Sequence, residues 1–366
     1  MRTLLCLLAL AAAGQAAEYL VLTGAYTGGP VKGIYAFHFR TNDGKLSASG
    51  VAAETPDPSY LVENPNHQFV YAVNEKEGTV SAFSIDFRHD RLLPLNKVSA
   101  HGAGPCHLAF DRSGHWLAVS NYEDGSMAIL PVGADGKLGE AVATDRHQGA
   151  SIHPRQQGPH AHGTVFSLDN RFLLLADLGL DRIFVYRFDA AHGTIAPNDP
   201  AFVAAAPGSG PRHLAMHPSG QMVYVINELN STVTAYLFDD KAGVLKSFQT
   251  LSSLPPSFMG TNTAAEIAVS AGGTLLYASN RGSDTIALFS IDVNRLGLTA
   301  IDHTPTLGQT PRQFAIDATG QYVLVANQDS STVTVFRAQH MTGQLSPVGH
   351  PSTAPAPTSV LMIRTK

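Results

Sequence analysis

The residues best suited to chemistry in this sequence are histidines, arginines and a few glutamates. The segment Arg155-Gln-Gln-Gly-Pro-His-Ala-His162 holds His160 and His162 two positions apart, so on a strand both rings lie on one face. Imidazole titrates near neutrality and suits a general base. A metal pair is a competing use, but two histidines are too few for a site and the sequence shows no third ligand. A packed, hydrogen-bonded histidine is the plain structural alternative. Arg212, Arg281 and Arg312 carry guanidinium forks suited to a carboxylate or phosphate. Each could instead pair with Glu228, Glu266 or an aspartate. Nothing marks Cys106 as activated, and it fits a small buried apolar group. No Gly-Xaa-Ser-Xaa-Gly elbow, phosphate-binding loop or zinc motif occurs.

These residues fall at recurring places in an internal repeat. Pro105-Cys-His-Leu-Ala-Phe-Asp-Arg-Ser-Gly-His-Trp-Leu-Ala-Val-Ser-Asn121 is one copy. The runs Pro211 to Asn227 and Pro311 to Asn327 repeat it, and Pro58 to Asn74 and Ala264 to Asn280 fit the same template. A sixth copy ends at Asp177 and has two extra residues near Pro159. The anchors at 74, 121, 177, 227, 280 and 327 are 47 to 56 residues apart. A period near 50 is a signature of propellers and solenoids. Each unit reads as four short strands: Leu108–Phe110, a turn at Ser113-Gly114, Trp116–Ser120, a strand like Thr232–Phe238, and a weaker fourth after a turn such as Asp135-Gly136-Lys137. The two ends supply a seventh unit. Tyr19 to Ala25 matches a second strand, Gly33 to Arg40 a third, the run after Lys45-Leu46 a fourth, and Pro357 to Ile363 a first. The expected fold is therefore an all-β, seven-bladed β-propeller of four antiparallel strands per blade, closed by a blade shared between the termini.

First strands of propeller blades line the central channel, so one repeat position becomes a ring. The residue after the first anchor gives Ser59, Cys106, Arg212, Ala265, Arg312 and Thr358. In the irregular copy, counting back from Asp177 adds His162, and counting forward from Pro159 adds His160. The residue after each Asn or Asp gives a second ring: Glu75, Tyr122, Leu178, Glu228, Arg281 and Gln328. The Asn itself recurs unchanged and reads as structural, hydrogen-bonded to a turn. The rings differ from blade to blade, which points to one shared site at an end of the channel.

Composition fits this reading and excludes others. The chain has 366 residues, 44 % apolar and only 14 % charged, with 33 Gly and 22 Pro. It has too much apolar material and too little net charge for a disordered chain. Its 24 Lys and Arg are outnumbered by 29 Asp and Glu, against a nucleic-acid partner. Two cysteines make no disulfide scaffold. Met1-Arg2, the apolar run Leu4 to Ala13 and Gly14-Gln-Ala16 are laid out as a secretory signal. Residues 1–16 are thus expected to direct export to the periplasm or medium, leaving residues 17–366 as one propeller domain and Cys106 as its only cysteine. No later run is long enough to span a bilayer.

The chain resembles the lactonase family of seven-bladed propellers, which includes bacterial propeller-type 6-phosphogluconolactonases and the fungal carboxymuconate cycloisomerase. The resemblance runs from Tyr19 to about Ile363. It rests on Gly158-Pro-His-Ala-His162, Asp177-Leu-Gly-Leu-Asp-Arg182, Gly210-Pro-Arg-His213 with Asn227-Glu228, and Asn280-Arg-Gly282. It implies hydrolysis of a small anionic sugar lactone at the channel mouth, without metal or cofactor. His162 (or His160) or Glu228 would serve as base, and Arg212 and Arg281 would bind the anionic group and the oxyanion. Arg312, His213 and Glu75 are further substrate-binding candidates, and a monomer is expected. The family's usual substrate is cytosolic, whereas this chain is expected to be exported. A non-enzymatic exported binding propeller and a cycloisomerase of a carboxylated lactone are therefore the alternatives.

Overall fold

A computed structural model describes residues 17–292, 294 and 297–365; the expected export signal at 1–16 lies outside the described residues. The strands form seven sheets arranged as the blades of a propeller. Blade 1 runs from Leu61–Glu63 to Arg91–Ser99, blade 2 from Pro105–Phe110 to Ala143–Arg146, and blade 3 from Ala161–Phe166 to Thr194–Ala204. Blade 4 runs from Pro211–Met216 to Val244–Ser252, blade 5 from Thr263–Val269 to Gly297–Pro305, and blade 6 from Pro311–Ile316 to Leu345–Pro347. Blade 7 is ordered Pro357–Arg364, Glu18–Ala25, Gly33–Arg40, Lys45–Glu54. Its innermost strand is thus the end of the chain, as the termini implied, and seven pairs of Cα partners tie it to the first strand.

Hydrophobic pattern follows blade position. Second strands are covered on both sides, so Phe172-Leu-Leu-Leu-Ala-Asp177 is buried at every residue. Outer strands face solvent on one side, and in Val244–Ser252 only Leu245 is buried. Seven apolar clusters sit between neighbouring blades. Leu20, Leu22 and Ile34 of blade 7 pack with Val70, Ala72 and Phe83 of blade 1, closing the ring.

The recurring Asn does more than close a turn. Asn74 Nδ2 donates to Pro56 O at 2.7 Å and Thr55 Oγ1 at 2.8 Å, on the connector arriving from blade 7. Asn121 reaches Ala100 O and Asn280 reaches Ser253 O in the same way. At Asp177 a carboxylate replaces the amide because only acceptors are needed: Oδ1 takes the N–H of His160, Gly179 and Leu180, and Oδ2 meets His147 Nδ1 at 2.6 Å. Asn74→Ala would orphan the buried donors and acceptors it satisfies. The expected loss is about 2 kcal/mol, read as a lower midpoint in urea.

Pairing at the channel also settles the irregular blade. Pro105 pairs with Asn121, Pro211 with Asn227 and Pro311 with Asn327; Ala161 pairs with Asp177 in the same relation. The next residue in each case lies in a register shift, a bulge of the kind that re-aims a side chain beside functional sites. His162 therefore joins Cys106, Arg212 and Arg312 in the inner ring, and the extra residues fall in the preceding loop.

Candidate active site

The two rings meet at a cavity of about 180 Å³ at one end of the channel. Inner strands deliver Cys106, His162, Arg212 and Arg312. The positions after the second strands deliver Glu75, Tyr122 and Glu228, while Arg281 closes its own second strand. A larger cavity of about 360 Å³ lies between blades 1 and 2, where His115 is the only titratable lining residue. The chemistry is concentrated at the channel.

Glu228 is the hub. Its buried carboxylate lies 2.6 Å from Arg155 Nη1, 2.9 Å from Arg212 Nε and 2.9 Å from Arg281 Nη2. Burial pushes the carboxyl up, but Arg281, Arg212 and Arg155 outweigh it and hold it down to about 2. Arg212 is 3 % exposed, and Nη1 also donates to Ala265 O at 2.6 Å. Arg281 Nη2 donates to Ala264 O at 3.0 Å, and burial lowers Arg281 to about 10. Glu75 forms a separate group: it accepts from Tyr26 Oη at 3.0 Å and from Ser59 Oγ, while Arg312 Nη2 donates to Tyr26 Oη at 2.9 Å. Arg312 has no carboxylate at ion-pair distance among the described residues. Four guanidiniums thus share two carboxylates, and the cavity is prepared for an anion.

The two histidines of the singled-out segment separate. His162 lines the cavity, buried, with Nδ1 3.8 Å from Cys106 Sγ. His160 does not: its ring stacks on Tyr122 at 4.4 Å, and Nδ1 lies 2.8 Å from Tyr122 O. His213 also lies off the cavity lining. It sits one residue deeper, with Nδ1 2.9 Å from Glu266 Oε1, because it follows the bulge residue Arg212 and belongs to the next layer of the channel. Cys106 is buried, and burial pushes its thiol up, as a small apolar group requires.

Two lining residues escaped the sequence reading. Tyr26 follows Ala25, which pairs with Pro357 as the Asn anchors pair with their prolines; it is the seventh member of the second ring. Arg155 occupies no repeat position. It is carried by the loop before blade 3, which is pinned by the fully buried Gln156 through Nε2 to Leu178 O at 2.7 Å and by Ser151 to Asp181 at 2.6 Å. Arg155 also donates to Tyr122 Oη at 3.0 Å.

His107, His162 and His213 form a buried cluster, with ring centroids 4.8 Å apart for 107 and 213 and 4.9 Å for 162 and 213. Burial holds all three well below the usual histidine value. The folded chain therefore binds fewer protons than the unfolded chain once the pH drops below about 6.5. Stability is retained above that pH and lost as the pH falls through it. Three such groups give a slope approaching about 4 kcal/mol per pH unit. Burial raises the Glu266 carboxyl, which takes up a proton more readily when folded and offsets part of that slope. The urea midpoint should fall between pH 7 and pH 5, and less steeply in His107→Asn. A flat profile would mean the cluster is not neutral.

Among the described residues, no group of three or more His, Cys, Asp and Glu is placed to hold a metal ion, and no helix is long and apolar enough to cross a membrane.

Comparison with known proteins agrees with this architecture. Residues 20–362 match the family described as lactonase, 7-bladed beta-propeller. The chain belongs to this family. It is 31 % identical over 345 residues to the 6-phosphogluconolactonase of Bacillus subtilis, covering 94 % of this chain and 97 % of the relative. It is 36 % identical over 325 residues to a 6-phosphogluconolactonase of Formosa agariphila, covering 86 % and 91 %. The solved periplasmic gluconolactonase of Pseudomonas aeruginosa superposes with a TM-score of 0.89 at 33 % identity, covering 94 % of this chain and 99 % of that one. Lactonase-family propellers thus share nearly the whole chain, not one blade or motif.

Proposed function

We propose that this chain is an exported lactonase that opens an anionic sugar lactone by metal-independent attack of water on the ring carbonyl, acting as a monomer. The observation that carries the reading is the channel-mouth cavity, where four guanidiniums share two carboxylates beside a neutral buried imidazole. Such a cavity repels a metal cation and attracts an anion. The family relatives named for lactone hydrolysis support the reaction class. The periplasmic neighbour and the apolar N-terminal run support export.

In the proposed reaction, His162 takes a proton from water as the oxygen attacks the lactone carbonyl carbon. The resulting oxyanion is held by Arg212 and Arg281, whose donors are fixed before substrate arrives. Collapse breaks the ring C–O bond. The departing ring oxygen takes the proton back from His162, giving the hydroxy acid. Glu228 serves mainly to gather the guanidiniums, because three of them already engage its carboxylate. Arg312, with no carboxylate partner among the described residues and held in place by Tyr26 Oη, binds the anionic substituent.

The test is direct. Purified protein is mixed with freshly made glucono-1,5-lactone and its 6-phospho derivative, and lactone loss is followed against spontaneous hydrolysis. Faster loss, with the phospho form preferred through kcat/KM, is expected. Loss no faster than the spontaneous rate for both lactones would sink the enzyme reading and leave a binding propeller.

A further inference from the structure

Beneath the cavity lies a third layer that the rings above do not use. Tyr60, His107, Gly163, His213, Glu266 and Gln313 each stand one residue beyond an inner-ring position. The layer is packed to the backbone: a Cβ at Gly163 would stand 2.6 Å from Arg212 O and 2.9 Å from His213 Cα. Within it, Glu266 Oε1 is 2.9 Å from His213 Nδ1, and His213 Nε2 is 3.3 Å from Arg212 Nη1.

Donor chemistry fixes the direction of this chain. An arginine can only donate, so His213 Nε2 must present its lone pair to Nη1. The proton of the neutral ring then sits on Nδ1 and is donated to Glu266. Ile267 N–H donates to the carboxylate at 2.9 Å, and the backbone N–H of Glu266 donates to Ser279 Oγ at 3.0 Å, which fixes the main chain that carries it. We propose that Glu266 and His213 are positioning residues: the carboxylate fixes the imidazole tautomer, and the imidazole fixes the guanidinium of Arg212 from behind. Nη1 is then held by Ala265 O and His213. Nε is at ion-pair distance from Glu228 but makes no hydrogen bond among the described residues, so Nε and Nη2 hold the donors these contacts leave over. The effect on turnover rests on the lactonase reading of the cavity; the tautomer does not.

The experiment combines nitrogen-15 chemical shifts of the histidine rings with kinetics at pH 7. In the wild-type protein His213 should show a protonated Nδ1 and a bare Nε2. Glu266→Gln keeps an acceptor oxygen and should keep that pattern, with kcat within threefold of wild type. Glu266→Leu should lose the pattern and lower kcat at least tenfold, with KM changed less than threefold. Should Glu266→Leu fail to fold, His213→Gln, which places an amide oxygen near the position of Nε2, is expected to retain more kcat than His213→Phe. A purely structural role would lower the thermal midpoint while leaving kcat per folded molecule alone. Wild-type His213 protonated on Nε2 would overturn the proposal, as would equal kcat in wild type and Glu266→Leu. Absence of wild-type hydrolysis with the expected tautomer would instead sink the lactonase reading and leave the positioning pair standing.

Discussion

Glu228→Gln should lower kcat/KM at least about 100-fold and destabilise the fold by about 3 kcal/mol. Both effects arise because one carboxylate neutralises three guanidiniums, two of them buried. The amide keeps the shape of the side chain and removes the charge, so Arg155, Arg212 and Arg281 repel one another with Arg312 beside them. Breaking a buried ion pair by removing one partner costs about 3–5 kcal/mol. Linkage gives a similar figure. A carboxyl brought from its ordinary value of 4.5 down to about 2 in the fold contributes about 3 kcal/mol above pH 4.5. That contribution is lost as the pH falls through about 2, so Glu228 stays ionised wherever the protein works. The measurement is thermal or urea unfolding beside lactone kinetics. A large loss of kcat with unchanged stability would mean that Glu228 acts as the base and not as the holder of the arginines.

The blades were legible because burial on both faces leaves a strong imprint. A second strand such as Phe172–Asp177 must be apolar throughout, and a Gly turn and an Asn must follow at fixed distances. The split seventh blade was legible for the same reason, since Pro357–Arg364 and Glu18–Ala25 each carry half of the pattern. The site was legible only where it rides on the repeat. Arg212, Arg281, Arg312, Glu228 and Glu75 were found by comparing one position across blades. His160 and His162 could not be separated that way, because the loop before them breaks the count and only strand pairing restores it. Arg155 left no signal, since a loop residue is placed by its own hydrogen bonds, here those of Gln156 and Ser151. The resemblance offers His213, beside Arg212 in sequence, as a substrate-binding candidate, but it lies off the cavity lining. The bulge at Arg212 puts the two side chains in different layers.

Arg212→Ala tests the chemistry separately from the charge balance. Losing one preorganised donor to a developing oxyanion costs about 10²–10³ in kcat, and Arg212 is the most deeply buried of the cavity's four arginines. Arg281→Ala should cost at least tenfold. Lysine at 212 should restore little, because one ammonium cannot meet Ala265 O, His213 and Glu228 together as the planar fork does. The contrast with Glu228 lies in stability. Removing one of three cations leaves the carboxylate still paired with Arg155 and Arg281 and relieves repulsion from Arg312. Arg212→Ala should therefore lose turnover with a smaller fall in midpoint than Glu228→Gln. Unchanged kinetics in folded Arg212→Ala and Arg281→Ala would remove both residues from the site. Equal destabilisation by Arg212→Ala and Glu228→Gln would show that the guanidiniums hold the channel mouth together and are not held there against their own repulsion.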